Sequence, residues 1–364
     1  MSLERVPVDE ITVSAYTIPT DRQPESDGTA VWNSTTLVLV EIEAGGKRGT
    51  GWTYESAAAA GLIREQLADI VRGANALDTR AIWTKMTGKV RNTGRSGLAS
   101  YAIAAVDIAL WDLRARLYDI ALCDLMGLVR EEIPIYGSGG FTSYDIPTLQ
   151  SQLAGWSGAG MRAVKMKVGR EHAADPRRVA AAREAIGDDC RLFVDGNGGY
   201  DVADAIVIAQ RFAESDVTWF EQPVDHNDLA GTRRVREHAP PGMAVSSGEY
   251  ITDTSRAALV ADAVDVLQAD ASRCGGYTGF LAIDGYCDVT RKPLSSHCGP
   301  MLHLHVAAAS LRLRHMEYFH DHVRIEKMLF DGFIAPVDGA LRPDRSRPGH
   351  GFAFRHADAR AYVV

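Results

Sequence analysis

The sequence predicts an α/β protein in which a (β/α)₈ barrel follows a smaller α+β domain. From residue 133 onward, short apolar runs of strand type alternate regularly with amphipathic helical patterns, which is typical of a barrel of parallel strands. Before residue 130, strand patterns come first and helical patterns follow, as in an α+β domain. A chain of 364 residues is also long enough for two domains.

The N-terminal α+β domain is predicted over residues 1–130. Residues 11–18, 36–42 and 50–54 have strand patterns, and Ala44-Gly45-Gly46-Lys47 indicates a hairpin turn between the last two. Helical patterns cover residues 57–72, 78–90 and 100–117.

The barrel is predicted over residues 131–332. Its strands are expected at 133–136, 163–168, 192–195, 217–221, 244–249, 264–270, 293–297 and 316–319. The intervening helices are expected at 146–156, 176–186, 202–213, 229–238, 254–261, 277–289 and 301–313. An open doubly wound sheet is the alternative, but Gly137-Ser138-Gly139-Gly140 lacks the GxGxxG spacing of its usual phosphate turn. Residues 333–364 are expected to pack back on the N-terminal domain.

Composition narrows the possible partners. A net charge of −8 and a pI of about 5.8 leave no basic face for nucleic acid or anionic membrane. We find no signal peptide and no apolar run of the roughly 20 residues that span a bilayer. The five cysteines are scattered and lack CxxC spacing, so we expect reduced thiols in a cytoplasmic protein.

Three carboxylates follow consecutive predicted strands. Asp195 and Glu221 are 26 residues apart, and Glu221 and Glu249 are 28 apart, which is about one βα unit each time. Because active sites of such barrels lie at the carboxyl ends of the strands, the three can converge on one point. Carboxylates gathered in this way suit Mg²⁺. The alternative is that each acid caps the next helix.

Lys165 and Lys167 end the strand before Asp195. Side chains alternate along a strand, so both lysines point the same way. Near a metal and away from water, we expect the pKa of such a lysine to fall, which would make it a base. The alternative is a pair of lysines at a solvated strand edge, although their neighbours are apolar.

Asp270, His297 and Glu317 end the next three predicted strands. Asp270 and His297 are 27 residues apart, again about one βα unit, so the carboxylate can fix the imidazole tautomer and raise its basicity. Glu317, if protonated, could hydrogen-bond a substrate carboxylate. A satisfied buried histidine and a surface or capping acid are the alternatives.

With these motifs in view, the chain resembles the enolase superfamily, and within it the mandelate racemase group. The resemblance covers nearly the whole chain. It also includes Ala104-Ala105-Val106-Asp107-Ile108-Ala109-Leu110-Trp111-Asp112-Leu113, which continues to Leu125-Met126-Gly127 and looks like the family's signature helix. The motifs in family order are Lys165-Met166-Lys167, Asp195-Gly196-Asn197, Glu221-Gln222-Pro223, Gly248-Glu249, Asp270, His297 and Glu317.

The resemblance implies a modified TIM barrel under a capping domain built from the N- and C-terminal segments. It implies Mg²⁺ bound by Asp195, Glu221 and Glu249. The muconate-lactonising branch would have a lysine at position 270, so Asp270 with His297 favours the mandelate racemase branch. Relatives form dimers and octamers, so a homo-oligomer is expected.

The resemblance also implies the catalytic roles. Lys167 would be the base on one face of the substrate α-carbon, and the His297–Asp270 pair would serve the other face. Lys165 would help neutralise the substrate carboxylate, and Glu317 would hydrogen-bond the enolate.

Abstraction of a proton α to a carboxylate has two outcomes here, dehydration or racemisation and epimerisation. We favour dehydration of an acid sugar, because the polar segment 21–29 is expected to face the site from the capping domain. Asp21, Arg22 and Asn197 are the expected substrate contacts, and Asn92, Thr93 and Arg95 are further polar candidates. A non-catalytic sugar-acid-binding member of the fold is the alternative of another class.

Overall fold

The computed structural model describes residues 5–22 and 24–364. Its N-terminal part is a three-stranded antiparallel sheet, in the order β1-β4-β5, covered by helices. The strands are β1 (Glu10–Pro19), β2 (Glu25–Ser26), β3 (Val31–Trp32), β4 (Ser34–Ala44) and β5 (Lys47–Tyr54). The helices are α1 (Ala58–Leu62), α2 (Ala68–Val71), α3 (Thr79–Lys89), α4 (Leu98–Tyr118) and α5 (Leu122–Met126), with a π-helical turn at Ile63–Leu67 between α1 and α2.

Small residues let the long helix α4 lie directly on the sheet. A Cβ atom at Gly49 or Gly51 in β5 would overlap the α4 backbone carbonyls of Ala109 or Ala105. The hairpin predicted before β5 is also present, and Gly45 and Gly46 take φ values of 56° and 72° in it. Glycine adopts this left-handed region without the strain that a side chain would cause.

The second part is a closed barrel of eight parallel strands, as the sequence predicts. The strands are β6 (Ile133–Gly139), β7 (Ala163–Lys167), β8 (Arg191–Asp195), β9 (Val217–Glu221), β10 (Ala244–Ser247), β11 (Val266–Ala269), β12 (Leu294–Ser296) and β13 (Leu313–Phe319). The helices are α6 (Ile146–Gly158), α7 (Asp175–Ile186), α8 (Val202–Ala213), α9 (Leu229–His238), α10 (Thr254–Ala263), α11 (Gly276–Thr290), α12 (Pro300–Ala309) and α13 (His320–Leu329).

Pairing between β13 and β6 closes the barrel, with Met316 opposite Ile135 and Glu317 opposite Tyr136. Because all eight strands are parallel, their carboxyl ends form one face. Lys167, Asp195 and Glu221 are the last residues of β7, β8 and β9, so the fold delivers them to that face.

One predicted element was wrong at its end. The helix expected over 301–313 ends at Ala309, and the last barrel strand already begins at Leu313. Asp284 accounts for the difference, since its carboxylate accepts hydrogen bonds from Ser310 Oγ and from the backbone amides of Leu311 and Arg312. These bonds hold the chain in an extended turn, and a helical propensity cannot reveal them.

The C-terminal segment contacts both parts of the molecule. It contains β14 (Phe330–Asp331), β15 (Ala340–Leu341), β16 (Ala353–Phe354) and α14 (His356–Ala359), followed by a 3₁₀ turn at Arg360–Tyr362. Strand β15 pairs with β6 of the barrel, while Val363 forms a bridge with Tyr16 in β1. Across the described residues, no helix has the length and apolarity to cross a bilayer.

An aromatic layer fills the middle of the barrel. Tyr136, Phe193 and Trp219 are almost fully buried there, and His315 packs against all three rings. Burial of each large side chain contributes roughly 2–3 kcal/mol. This layer is the floor beneath the charged groups at the carboxyl face.

Candidate active site

Lys165 is surrounded by buried carboxylates. Its Nζ atom lies 2.7 Å from Glu221 Oε2, 2.8 Å from Glu317 Oε1 and 3.3 Å from Asp195 Oδ2. None of these four side chains is more than 1% exposed. One ammonium group therefore faces three carboxylates.

The shortage of positive charge affects the pKa values of this cluster. Burial lowers the pKa of Lys165, but Glu221 and Glu317 raise it well above its ordinary value. Burial, followed by the charge of Asp195, raises the pKa of Glu221 to about 7 even though Lys165 opposes the shift. A carboxyl group whose pKa stays high beside an ammonium group lies in a site with too much negative charge, and such a site favours a further cation.

Lys167 lies beside the same cluster. Its Nζ atom is 2.6 Å from Asp195 Oδ2, and its side chain is 7% exposed. Burial lowers the pKa of Lys167, but the charge of Asp195 outweighs burial and raises it. The lowered pKa expected from the sequence is not found in these surroundings, because Asp195 stabilises the ammonium form.

Glu317 accepts hydrogen bonds on both oxygens. Ser138 Oγ donates to Oε1 at 2.6 Å, and the backbone amide of Cys298 donates to Oε2 at 2.8 Å. Burial raises the pKa of Glu317, but Lys165 and the other nearby cations lower it below its ordinary value. The surroundings therefore favour the carboxylate over the protonated form considered from the sequence.

His297 lies between two carboxylates. Its Nδ1 atom is 2.8 Å from Asp270 Oδ2, and its Nε2 atom is 2.8 Å from Glu249 Oε2. Burial lowers the pKa of His297, but Cys298, Glu249 and Asp270 together raise it well above its ordinary value. The predicted aspartate–histidine pair is thus formed, with the imidazole held at both nitrogens.

Two residues of this site were not predicted from the sequence. Arg273 lies 3.7 Å from Glu249 and 3.6 Å from Asp270, and Cys298 Sγ lies 3.3 Å from His297 Nε2. Their closeness in sequence to predicted site residues could have identified them, since Arg273 comes three residues after Asp270 and Cys298 directly follows His297.

The three predicted metal ligands are divided between two groups of contacts. Asp195 and Glu221 share Lys165, whereas Glu249 is bound to His297. Among the described residues, two sets of three possible ligand atoms lie within 4.8 Å of one another, and neither is the predicted set. These sets are His297 with Cys298 and Glu317, and Asp21 with Glu25 and His320.

The donor chemistry nevertheless fits Mg²⁺. Asp195, Glu221 and Glu249 offer hard carboxylate oxygens at the ends of neighbouring strands, which is the kind of ligand that Mg²⁺ prefers. Glu221 Oε1 is buried and has no hydrogen-bond partner among the described residues. A cation would supply what this oxygen and the crowded carboxylates lack.

Asn197 lies at the edge of the carboxylate cluster. Its backbone amide donates to Asp195 Oδ1 at 3.0 Å, and its φ of 45° turns the chain sharply after β8. The side-chain oxygen is buried and lacks a protein partner among the described residues. This oxygen has an unused capacity to accept a hydrogen bond, and its contact with a substrate stays a prediction.

The polar segment of the N-terminal domain covers this face of the barrel. Thr29 Oγ1 donates to the carbonyl of Asn197 at 3.1 Å, and Arg170 donates to the carbonyls of Asp27 and Ala30. The backbone at Gly28 approaches so closely that a Cβ atom would overlap the carbonyl oxygen of Gly196. We call residues 24–33 the lid segment.

Asp21 and Arg22 lie at the rim of the site. Asp21 Oδ2 is 2.9 Å from His320 Nε2, and the Arg22 guanidinium lies 5.5 Å from the centre of the Tyr144 ring. Of the further polar candidates, Asn92 and Thr93 are exposed and Arg95 lies over the Trp83 ring, 5.0 Å from its centre.

A buried acid behind the rim was also missed. Glu25 is completely buried in the lid segment, and burial followed by the charge of Asp321 raises its pKa to about 10. The raised pKa favours the protonated carboxyl group, and neither of its oxygens has a hydrogen-bond partner among the described residues.

A cleft of about 350 Å³ opens between the two parts of the molecule beside this site. It has room for a small organic acid. Its walls combine aromatic and polar side chains, which include Trp32, Tyr54, Arg273, Phe319, Asp321 and His322.

Comparison with known proteins agrees with this geometry. Residues 10–127 match the family described as mandelate racemase / muconate lactonizing enzyme, N-terminal domain. Residues 148–359 match the family described as enolase C-terminal domain-like. The two matches together include most of the chain.

Two curated relatives have names that describe acid-sugar chemistry. The chain is 30% identical to 3,6-anhydro-alpha-L-galactonate cycloisomerase of Streptomyces coelicolor over 356 residues, which are 94% of this chain and 96% of the relative. It is 31% identical to L-talarate/galactarate dehydratase of Salmonella typhimurium over 281 residues, which are 75% of this chain and 70% of the relative.

Solved structures extend the similarity. A mandelate racemase/muconate lactonizing enzyme-like protein from Rubrobacter xylanophilus has a TM-score of 0.97 at 46% identity, over 98% of this chain and 100% of that chain. A mutant L-talarate/galactarate dehydratase, liganded with Mg and L-glucarate, has a TM-score of 0.91 at 27% identity, over 99% of this chain and 92% of that chain. The magnesium in that relative agrees with the predicted cofactor. The chain is therefore an enzyme of the mandelate racemase/muconate lactonizing enzyme family, within the enolase superfamily.

Proposed function

We propose that this enzyme dehydrates an acid sugar, an aldonate or aldarate, to a 2-keto-3-deoxy acid. The reaction starts with abstraction of the proton α to the substrate carboxylate, and the β-hydroxyl then leaves as water. The resulting enol takes up a proton at C3 and becomes the keto acid. A reaction on a sugar acid is supported by the relatives, whose names include dehydratases and cycloisomerases of sugar acids.

One observation carries the proposal. The buried site contains two nitrogen groups that can exchange protons, and each is held by a different carboxylate. Lys167 contacts Asp195, and His297 contacts Asp270. Two such groups, one to remove a proton and one to deliver a proton, are what an elimination of water needs.

We assign the Mg²⁺ site to Asp195, Glu221 and Glu249. The support is the surplus of carboxylates around Lys165 and the unpartnered oxygen of Glu221. Bound there, Mg²⁺ would act as a Lewis acid that stabilises negative charge developing on the substrate carboxylate. As ligands, Asp195 and Glu249 would share their negative charge with the metal, which would weaken their attraction for Lys167 and His297.

The protein groups then divide the proton transfers. Lys167 in its neutral form takes the α-proton, and Lys165 balances charge on the substrate carboxylate. Protonated His297 gives its proton to the β-hydroxyl, so that the C–O bond breaks and water leaves. Asp270, which stays on Nδ1, stabilises the protonated imidazole that delivers this proton. With the charge of Asp195 shared with a metal, the raised pKa of Lys167 would fall, which would favour its neutral form.

Glu317 and Asp270 act on the other groups. Glu317 is held in place by Ser138 and Lys165. A substrate carboxylate bound beside it would raise its pKa, and the protonated carboxyl group would then donate a hydrogen bond to the enolate. Asp270 fixes the imidazole so that Nε2 faces the site.

A polar substrate suits the walls around these groups. The side-chain oxygen of Asn197 is buried without a partner, and Asp21 and Arg22 lie at the rim. A hydroxyl group of a sugar acid can donate to the Asn197 oxygen, whereas an apolar hydroxy acid would leave this oxygen unpaired. We assign Asn197, Asp21 and Arg22 to substrate binding on this basis, and we propose a homo-oligomer, as the family resemblance implies.

The test is incubation of the enzyme and Mg²⁺ with a library of aldonates and aldarates, followed by an assay for 2-keto acids. We expect a keto acid from at least one member, and none from the same member with a Lys167→Ala variant. Absence of product from every member would defeat the proposal. Exchange of the C2 proton for deuterium without keto acid would favour an epimerase, and binding without exchange would favour a non-catalytic protein.

A cycloisomerase is the second candidate, because the cycloisomerase of Streptomyces coelicolor is similar over 94% of the chain. If the leaving oxygen belongs to a ring, the same α-proton abstraction opens that ring and no water is lost. Adding anhydro sugar acids and lactones to the library distinguishes the two reactions by the mass of the product.

A further inference from the structure

A second cavity lies at the amino-terminal end of the barrel, opposite the proposed active site. Its volume is about 260 Å³. Its polar lining residues include Tyr136, Arg162, Arg191, Arg314, His315 and Asp338. The reaction proposed above uses none of these residues.

The three arginines lie at the amino-terminal ends of three barrel strands. Arg162 directly precedes β7, Arg191 is the first residue of β8, and Arg314 is the second residue of β13. The strands β13, β6, β7 and β8 are consecutive neighbours around the barrel. The closed sheet therefore surrounds one opening with three guanidinium groups that are far apart in the sequence.

These guanidinium groups are not neutralised by the protein. Across residues 5–22 and 24–364, none of them has a side-chain hydrogen bond or an ion pair. By contrast, Arg342 pairs with Glu132, which lines the same cavity, at 2.5 Å. Asp338 is then the remaining acidic group in the lining. Burial, followed by the charge of Arg314, lowers the pKa of Arg191, as expected for unpaired neighbouring cations.

Two buried polar atoms at the inner end of the cavity also lack partners among the described residues. They are the hydroxyl of Tyr136 and the Nε2 atom of His315, in side chains that are 0% and 3% exposed. Buried polar atoms without partners are rare in native proteins and often indicate a missing ligand or water. Burial, with the charges of Arg314 and Arg191, lowers the pKa of His315 to about 3, so its ring is neutral.

We propose that this cavity is a binding site for a small divalent oxyanion, with a phosphate group as the best fit. Three guanidinium groups offset by one carboxylate leave two positive charges, which a divalent anion balances and a monocarboxylate does not. The tyrosine hydroxyl can donate a hydrogen bond to an anion oxygen at the inner end. The planar guanidinium group of arginine can donate two parallel hydrogen bonds to two oxygens of one phosphate group.

The volume leaves the source of the phosphate group open. Free inorganic phosphate would fill only part of 260 Å³, and a phosphate monoester with a small organic end would fill more of it. The site is separate from the proposed active site, because the aromatic layer lies between them. On the upper side of that layer, Lys165 Nζ is 5.5 Å from the centre of the Tyr136 ring.

The test is calorimetric titration of the full-length enzyme with inorganic phosphate, glycerol 3-phosphate and acetate, with and without Mg²⁺. We expect saturable binding of phosphate or the monoester at one site per chain, and binding of acetate weaker by at least tenfold. Arg191→Gln and Arg314→Gln should each weaken binding by roughly tenfold or more, because each removes charge-assisted hydrogen bonds. Tighter binding of the monoester would identify an organic phosphate, and equal binding would identify free phosphate.

Two control variants locate the bound anion. Arg211→Gln removes the same charge from an exposed position on α8 and should leave phosphate affinity unchanged. Glu221→Gln alters the carboxyl face and should also leave it unchanged. The proposal is overturned by an absence of saturable binding, by equal weakening in Arg211→Gln, or by weakening in Glu221→Gln but in neither cavity variant. Thermal melts confirm that each variant is folded before titration, and the two cavity variants serve as independent tests.

Discussion

The Nδ1 atom of His297 lies 2.8 Å from Oδ2 of Asp270, and both side chains are almost fully buried. The two residues are 27 positions apart and follow neighbouring strands, so only the closed barrel brings them together. This contact fixes the tautomer of the imidazole and turns Nε2 toward the carboxylate cluster. The chemistry proposed for the second face of the substrate depends on it.

Replacement of Asp270 by Asn should therefore lower kcat by about 10²–10⁴-fold, because the imidazole loses the partner that fixes its tautomer and supports its positive charge. Steady-state kinetics on the substrate found in the library measures this. Asp265→Asn is the matched control, since Asp265 is exposed and directly precedes the amino-terminal end of β11, far from the carboxyl face. Equal kcat values in the two variants would contradict the role of Asp270.

Lys167→Ala should abolish exchange of the substrate α-proton with deuterium, because the proposed base on that face is gone. The expected loss is at least about 10²-fold in the exchange rate measured by NMR. Lys327→Ala removes an exposed lysine from α13 and should retain the wild-type exchange rate. Undiminished exchange in Lys167→Ala would show that another group takes the proton.

Removal of divalent ions with a chelator should stop turnover, and Mg²⁺ should restore it. Glu221→Gln should raise the Mg²⁺ concentration for half-maximal activity by roughly tenfold or more, since the variant loses a charged ligand. Glu214→Gln changes an exposed acid near the start of β9 and should not alter the Mg²⁺ dependence. A chelator-resistant enzyme would rule out the assigned metal role.

The lid segment should be sensitive to a single added methyl group. Gly28→Ala places a Cβ atom against the carbonyl of Gly196, so the lid segment must move away from the barrel. We expect kcat/KM to fall by roughly tenfold to hundredfold while the melting temperature changes little. Gly61→Ala is the control, because a Cβ there meets no neighbouring atom within 4 Å. If both variants keep wild-type kcat/KM, closure of the lid segment does not position the substrate.

The free energy of unfolding should fall as pH rises, because one buried acid, Glu326, must then ionise. Burial raises the pKa of Glu326 to about 8, and one of its oxygens accepts the amide of Met301 while the other has no partner in the described part of the chain. The folded state thus binds this proton more tightly than the unfolded state, whose carboxyl has an ordinary pKa of about 4.3. The free energy of unfolding should therefore decrease as pH rises from about 4 to about 8, by on the order of a few kcal/mol.

Glu326→Gln keeps the side chain neutral at every pH, so its melting temperature relative to wild type should rise across that window. Glu237→Gln, at an exposed position on α9, should follow the wild-type curve. A constant difference between Glu326→Gln and wild type would mean that Glu326 is already ionised in the folded protein.

Much of the fold could be predicted because the barrel repeats one unit. Each strand pattern ends near a polar residue, and the spacing of 26 to 28 residues identifies neighbouring βα units before any contact is known. Asp195, Glu221 and Lys167 are strand-terminal in the structure as expected. The end of α12 at Ala309 was predicted wrongly because it depends on Asp284 in the preceding helix, α11. A local sequence pattern does not indicate such a contact.

The partners of the site residues were harder to predict than their positions. Arg273 and Cys298 lie in loops after strands, where direction is set by the turn rather than by alternation. The direction of the lysine pKa shift also depended on how many carboxylates surround each ammonium. That number is a property of three-dimensional packing.

The sequence by itself determined the eight-strand repeat, the residues that end each strand, and the family to which the chain belongs, because these depend on periodicity and spacing along one chain. Only the tertiary structure decided that Glu249 contacts His297, that Glu25 in the lid segment is buried, and that three arginines meet at the opposite end of the barrel. Closure of the sheet makes these contacts between residues far apart in sequence, and their energies depend on burial and on the surrounding charges, which spacing alone cannot specify.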